Sequence, residues 1–127
     1  MQFSGSQSIY LQISDYICEN ILQKTWEEGD RIPSIREMAV SVEVNPNTVL
    51  RSYAHLQDQG IIENRRGIGY FVSDGGYEET RRMKTTEFVE QELPRIFRIM
   101  QLIDMSIEDL IREYERYLKE HENEAVN

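Results

Sequence analysis

This 127-residue chain contains one cysteine, two histidines and three prolines, and it lacks any apolar run of membrane-spanning length. Cys18 therefore cannot form an intramolecular disulfide, and neither His55 nor His121 has a partner at metal-ligand or catalytic spacing. The sequence also lacks a glycine-rich loop for binding phosphate and a catalytic pattern of nucleophile and base. Its first residues do not show the basic segment followed by apolar residues that is typical of a signal peptide. We therefore expect a cytoplasmic protein that is not an enzyme, does not contact a membrane and binds neither a metal nor a cofactor.

Positive charge is scarce as well, because the formal net charge is −9. Such acidity disfavours general coating of nucleic acid, since Lys and Arg supply most non-specific affinity by neutralising phosphates. The charge is unevenly distributed, however. Residues 31–66 carry five arginines and four acidic side chains, whereas the segments on either side are net negative. Arginine suits bidentate contacts with phosphate and guanine, so this segment is the expected location of a nucleic-acid site.

The first regular element is predicted from apolar spacing after a loose arm over residues 1–8. An isoleucine recurs every four residues, which predicts an amphipathic helix of about four turns ending near Trp26. The isoleucines of this stripe are Ile9, Ile13, Ile17 and Ile21.

Two helix starts follow in close succession. Ser34 and Glu37 have the spacing of a capping box, in which each side chain satisfies a free backbone N–H group. Asn45 then has the properties of an N-cap, with Pro46 at the first helical position. Only residues 43–44 connect the two helices, and so short a link is typical of a helix-turn-helix.

A small hairpin is predicted after the third helix, which should end at Gly60 in a left-handed conformation. Residues 61–63 and 69–72 have strand-like composition and flank a glycine-containing tip at residues 64–68. The predicted fold class is therefore α+β, mainly α: a winged helix-turn-helix domain over residues 1–76.

The remainder, residues 77–127, is predicted to be a helical dimerisation region. Pro94 should kink or divide its first helix, and Ser106 with Asp109 should begin a second one. A helix pair could bury its own apolar faces within one chain, but a heptad-like stripe on so small a unit favours packing against a second copy. The candidate dimerisation residues are Phe88, Val89, Leu93, Ile96, Phe97, Met100, Ile103, Leu110, Ile111 and Tyr114.

Polar residues at the helix starts and the hairpin tip form the candidate DNA-binding set. They are Arg36, Asn45, Asn47, Thr48, Arg51, Arg65, Arg66 and Gly67. Five of them have a structural alternative: Asn45 and Thr48 could serve only as caps, Arg36 could be solvated, and the two hairpin arginines could keep an exposed loop soluble. Arg31 is a weaker candidate. Asn and Arg at the front of a helix can reach base edges, and paired arginines at a glycine tip can follow phosphates or enter a minor groove, which favours DNA binding.

Four segments together resemble the GntR family of bacterial transcription regulators. They are residues 9–13, 29–39, 45–49 and 66–69. The Asn-Pro-Asn-Thr sequence at 45–48 and the short two-helix tail resemble its YtrA-like branch. The resemblance implies a homodimeric, usually repressing regulator that binds a palindromic double-stranded DNA operator. A further possibility, which adds to this one, is an unknown small-molecule effector bound in the tail or in the groove between the domains.

The resemblance also implies site residues. DNA contacts in the family correspond here to Arg36, to the front of the third helix and to Arg66 with Gly67. Pro46 and Leu50 stand where many members carry arginines, so those base contacts do not transfer and Arg51 becomes the better candidate. The alternative function is a winged-helix module that binds protein without DNA, and it predicts little salt dependence and no preference for DNA sequence.

Overall fold

The computed structural model describes residues 7–124, apart from the side chain of Asn123. The predicted loose arm over residues 1–8 therefore lies almost entirely outside the described residues, as do the last three residues of the chain. Six α-helices and one hairpin make up most of the rest: α1 Ile9–Leu22, α2 Ile35–Val42, α3 Pro46–Asp58, β1 Ile62–Arg65, β2 Gly69–Val72, α4 Gly76–Glu87, α5 Leu93–Leu102 and α6 Ile107–Glu120. No helix in this part of the chain combines the length and apolar character needed to cross a membrane.

Helix α1 follows the predicted isoleucine stripe but ends earlier than expected. Three of the four isoleucines are fully buried, while Ile9 remains 44% exposed at the start of the helix. The prediction of an end near Trp26 was wrong: α1 ends at Leu22. Lys24 adopts a left-handed conformation with φ 63°, and its N–H donates to the carbonyl of Ile21, which stops the helix.

The helix-turn-helix is formed by α2 and α3. The capping box at Ser34 and Glu37 is present, and Asn45 caps α3 by accepting a hydrogen bond from the Asn47 N–H at 2.8 Å. The two helices are joined through Glu43 in the left-handed conformation, φ 57°. Their inward faces and that of α1 supply most of the core, which includes the fully buried Val49, Tyr53 and Leu56 on α3.

The hairpin has the predicted position, with small changes in its bounds. β1 begins at Ile62 and continues to Arg65, so two residues assigned to the tip belong to the strand. The register pairs Ile62 with Val72 and Arg65 with Gly69. Residues 29–32 lie along the outer edge of β2, where the N–H of Ile32 donates to the carbonyl of Tyr70 at 2.9 Å. Gly60 precedes the hairpin with φ +77°, as predicted.

The chain divides into two compact units between Arg82 and Met83, which we call the winged unit and the tail. The predicted boundary after residue 76 lies at the first residue of α4, and it stays a prediction. The predicted interruption near Pro94 takes the form of a π-helical turn at Phe88–Glu92. Proline lacks the N–H group needed for a regular helical hydrogen bond, and α5 accordingly places Pro94 in its first turn.

The apolar side chains of the tail are largely open in the single chain. Phe88, Val89, Phe97, Ile103, Ile111 and Tyr114 are each 46–61% exposed. Leu93, Ile96 and Leu110 are half-buried. Met100, which also belongs to the predicted dimerisation set, is only 8% exposed in the single chain. Its carbonyl accepts a hydrogen bond from the N–H of Met105.

Candidate nucleic-acid interface

Helix α3 has one buried side and one open side over its first turns. The buried side consists of Val49 and residues spaced one turn further along, which anchor the helix in the core. On the open side, Asn47 and Arg51 are exposed and Thr48 is half-buried. Because the helix starts at Pro46, these side chains surround its N-terminus, where backbone N–H groups and the helix dipole favour anionic groups such as phosphate.

Asn45 has the structural role that its sequence position also allowed. Its side-chain oxygen is engaged by the Asn47 N–H, so this atom holds the helix start in place. The side-chain amide of Asn45 remains a potential donor towards a ligand. Capping and DNA contact are therefore compatible at this residue, because they use different atoms.

Leu50 lies on the same open part of α3 and is 47% exposed. The family resemblance implied an arginine at this position. An apolar side chain there cannot donate to a base edge, but it can contact the methyl group of thymine. The hydrogen-bonding groups that remain near the front of α3 are those of Asn47, Thr48 and Arg51.

Arg51 lies against α1. Its guanidinium carbon is 3.9 Å from the centroid of the Tyr10 ring, at cation–π distance. A shallow depression of about 320 Å³ opens beside this pair, and it is lined by Ser8, Ile9, Tyr10, Asn47, Thr48 and Arg51. No local signal in the sequence predicts that Tyr10 or any other residue of α1 contributes to this surface.

Arg36 occupies the second position of α2 and is exposed. No hydrogen bond or ion pair joins it to another of the described residues. The segment in front of it is held firmly, because the Tyr53 hydroxyl donates to the carbonyl of Pro33 at 2.6 Å. Burial raises the pKa of Tyr53, so this hydroxyl keeps its proton, and the proximity of Tyr70 and Glu37 acts in the same direction. The backbone that presents Arg36 is thus fixed to α3.

The two arginines at the hairpin differ in their availability. Arg65 is engaged by its own hairpin: its Nε donates to Glu63 at 2.9 Å, and its guanidinium lies 4.0 Å from the centroid of the Phe71 ring. Arg66 is exposed and has no hydrogen bond or ion pair to another described residue. Gly67 follows with φ +76° and no neighbouring atom where a Cβ would lie, so the tip protrudes. The geometry favours Arg66 over Arg65 as the DNA contact of the wing.

Arg31 is more closely integrated into this surface than its sequence position suggested. It pairs with Phe71 on the edge of β2, and its Nε lies 2.9 Å from the position of a Cβ built on Gly69. The pKa of Glu37 is lowered chiefly by hydrogen bonds from Ser34, and the positive charge of Arg31 lowers it further. Arg31 therefore lies between the wing and the start of α2.

The described residues hold no group of three or more His, Cys, Asp or Glu side chains arranged to bind a metal ion. A second open depression, of about 390 Å³, lies between the end of α1 and the start of α4. Its lining residues are Ile21, Lys24, Trp26, Glu27, Glu28 and Tyr77. Cys18 is buried in α1 and contributes to neither depression.

Comparison with known proteins supports the same interpretation. The profile of "Bacterial regulatory proteins, gntR family" matches residues 9–72. The HTH-type transcriptional regulator YhcF of Bacillus subtilis is 42% identical over 91 residues, which cover 70% of this chain and 75% of YhcF. The HTH-type transcriptional repressor YtrA of the same organism is 38% identical over 87 residues, covering 68% of this chain and 67% of YtrA.

Solved structures extend the likeness beyond the winged unit. A GntR-family regulator from Bacteroides thetaiotaomicron is 40% identical, with a TM-score of 0.74 over 90% of this chain and 99% of its own. YtrA from Sulfolobus acidocaldarius, described as a GntR-family transcription factor, is 29% identical, with a TM-score of 0.55 over 94% of this chain and 96% of its own. The predicted fold class and the expectation that the chain is not an enzyme are confirmed by these relationships. The chain belongs to the GntR family and is a YtrA-like, DNA-binding transcriptional regulator with a winged helix-turn-helix.

Proposed function

We propose that this regulator is a homodimeric repressor that binds a palindromic operator. In each copy, the front of α3 enters the major groove, Arg36 contacts the phosphate backbone and Arg66 at the wing tip follows the adjacent groove. The main support is the division of α3 into a fully buried side and an open side, with the unpaired Arg36 and Arg66 in the same unit. The repressing role is proposed from the relative YtrA, which is named a repressor.

Dimerisation is proposed from the tail. Its open apolar side chains are numerous for a segment of this size, and a contiguous apolar surface on a small unit is typical of a protein interface. A two-fold dimer would present two copies of α3 to half-sites about 34 Å apart, or a multiple of that distance. With few cations per copy, joining two winged units also supplies affinity that one unit lacks.

The cytoplasm is the expected location, because that is where a bacterial regulator meets its DNA. A small-molecule effector stays a prediction that a thermal-shift screen of the intact protein can test. Stabilisation by a ligand at concentrations that also alter operator binding would identify such an effector.

The DNA-binding proposal is tested by fluorescence anisotropy on palindromic duplexes from the upstream region of the protein's own gene, with a scrambled duplex for reference. We expect tighter binding to the palindrome and a steep loss of affinity with rising salt. Arg36→Ala and Arg66→Ala should each weaken binding and reduce the salt slope by about one, as loss of one phosphate contact requires.

Two variants serve as controls in that experiment. Lys24→Ala removes a cation from the same unit, but Lys24 lies over the Tyr77 ring rather than near α3, so operator affinity should be unchanged. Arg65→Ala should have a smaller effect than Arg66→Ala because Arg65 is already paired. Equal binding to palindromic and scrambled duplexes, with little salt dependence, would instead favour a protein-interaction module.

A further inference from the structure

Tyr10 and Arg51 form a contact between two helices at the edge of the proposed DNA surface. Tyr10 lies in the first turn of α1, and Arg51 lies in the second turn of α3. The 3.9 Å separation of the guanidinium carbon from the ring centroid places the cation directly against the ring face. The guanidinium therefore has a defined position in the free protein.

The ring itself is held by its surroundings. His55, one turn beyond Arg51 on α3, meets the Tyr10 ring edge-on, with centroids 6.3 Å apart. The two helices approach closely because small residues face each other: the Ser14 and Ser52 hydroxyls are hydrogen bonded at 2.8 Å. Ser14 also donates to the backbone carbonyl of Tyr10 at 3.0 Å, which links the first turns of α1 to this contact with α3.

The donors of Arg51 are not used by any carboxylate. Among the described residues no Asp or Glu forms a salt bridge with Arg51, in contrast to Arg65, which is bound by Glu63. A cation–π contact uses the face of the guanidinium and leaves its N–H groups in the plane available. Arg51 is thus oriented without losing the donors needed for bidentate contact with guanine or phosphate.

We propose that Tyr10 is a positioning residue that orients Arg51 for base recognition and so helps to set the operator preference. The inference rests on the proposed function, in which Arg51 faces the major groove. A long arginine side chain loses rotamer freedom when it binds, and a ring that already restricts it lowers that cost. The side chains of Pro46 and Leu50 have no hydrogen-bond donor, so recognition by the first turns of α3 depends more strongly on Arg51.

The experiment compares operator affinity in the intact protein for Tyr10→Leu, Tyr10→Phe, Arg51→Ala and the double variant Tyr10→Leu/Arg51→Ala. Arg51→Ala should weaken operator binding by about tenfold or more. Tyr10→Leu should weaken it by about threefold to tenfold, whereas Tyr10→Phe keeps the ring and should bind like the unmodified protein. The double variant should be no weaker than Arg51→Ala, because without the arginine the ring has nothing to orient.

Base preference supplies a readout that loss of stability alone would not change. Against duplexes substituted at each half-site position, Tyr10→Leu and Arg51→Ala should lose discrimination at the same base pair. Tyr16→Leu is the matched control, since it removes a tyrosine ring of α1 that contacts Trp26 and no arginine. It should leave affinity and preference unchanged, and melting temperatures establish that every variant is folded.

The possible failures are distinguishable. If Tyr10→Phe is as weak as Tyr10→Leu, or if the losses from Tyr10→Leu and Arg51→Ala add, Tyr10 acts independently of Arg51 and the inference is wrong. If Arg51→Ala binds normally while Arg36→Ala and Arg66→Ala do not, the inference is overturned but the DNA surface stands. If none of the three arginine variants changes binding, the proposed function itself fails.

Discussion

The winged unit and the tail use apolar residues in opposite ways. Among the described residues, fourteen of the fifteen buried apolar side chains belong to the winged unit, and Met100 is the only one in the tail. The winged unit therefore has a core of its own, which holds exposed polar groups in fixed positions. The tail has amphipathic helices with well-formed starts but leaves its apolar side chains open. This contrast supports the proposal that the first unit presents a surface for DNA and that the tail packs against a second copy.

The largest loss of operator affinity should come from placing charge on the apolar side chains of the tail. Phe97→Glu combined with Ile111→Glu should prevent the proposed dimerisation, because paired carboxylates cannot be buried in an apolar interface without large cost. Operator affinity should fall by about 10²- to 10⁴-fold as the two winged units become independent. Sedimentation velocity and anisotropy measure the two effects.

The matched control for this double variant is Arg98→Glu, which adds negative charge at an exposed polar residue of α5 and should leave the dimer intact. A double variant that sediments as a dimer with full operator affinity would show that the tail does not join two copies through this surface.

A second test concerns how tightly the winged unit is packed. In Gly76→Ala the new Cβ would lie 2.7 Å from the carbonyl oxygen of Ile61 and 3.0 Å from a methyl group of Val72. We expect a loss of about 2 to 3 kcal/mol in the free energy of unfolding, at the upper end for overpacking because a backbone atom is met. Gly67→Ala meets no atom within 4 Å and should lose less, about 1 kcal/mol, from its left-handed backbone. Denaturant titration compares them, and equal losses would contradict this account of the packing.

A third test removes the hydroxyl that links α3 to the segment before α2. Tyr53→Phe leaves the carbonyl of Pro33 without its partner and should cost about 1 to 2 kcal/mol near neutral pH. Burial raises the pKa of Tyr53 in the folded protein, so its contribution is complete below the ordinary value of about 10 and is lost as pH rises beyond it. Thermal melts between pH 8 and 11 should therefore show a flatter alkaline decline for the variant, and parallel declines would refute the role of this group.

The smallest effect on stability is expected at two matched helix starts, one in the winged unit and one in the tail. Ser34→Ala in the winged unit and Ser106→Ala in the tail each remove a capping box and should cost about 1 kcal/mol of helix stability. Hydrogen bonds from the serines lower the pKa of Glu37 and Asp109, so both caps lose strength as pH falls through these lowered values. Only Ser34→Ala should also reduce operator affinity, because that cap orients Arg36. Equal operator binding by both variants would argue against this orientation.

The sequence was most informative where a local interaction determines local structure. The capping box at Ser34, the helix start at Ser106, the Asn45 cap and Gly60 were all predicted, because each depends on hydrogen bonds or backbone angles within a few residues. The end of α1 was missed for the complementary reason. Lys24 takes a left-handed conformation that its residue type does not favour, so no residue preference at that point marks the end of the helix.

The residues of the candidate interface also differ in whether the sequence alone could predict their role. Arg36 and Arg66 could be proposed from their places beside a cap and a glycine tip. The difference between Arg65 and Arg66 could not, because both are hairpin arginines in sequence and only the fold brings Glu63 and Phe71 against one of them. The role of Tyr10 could not be predicted either. It lies 41 positions from Arg51 in the sequence and contacts it only because α1 packs on α3.

The starts of α2, α3 and α6, the hairpin, the family and the segment that concentrates arginine could therefore be predicted from the sequence, because these depend on residue type and short spacing. Tertiary structure alone decided which arginines keep free donors, which ring supports Arg51, and which apolar side chains remain open. The physical reason is that burial, pairing and cation–π contact depend on what distant segments bring to the same place.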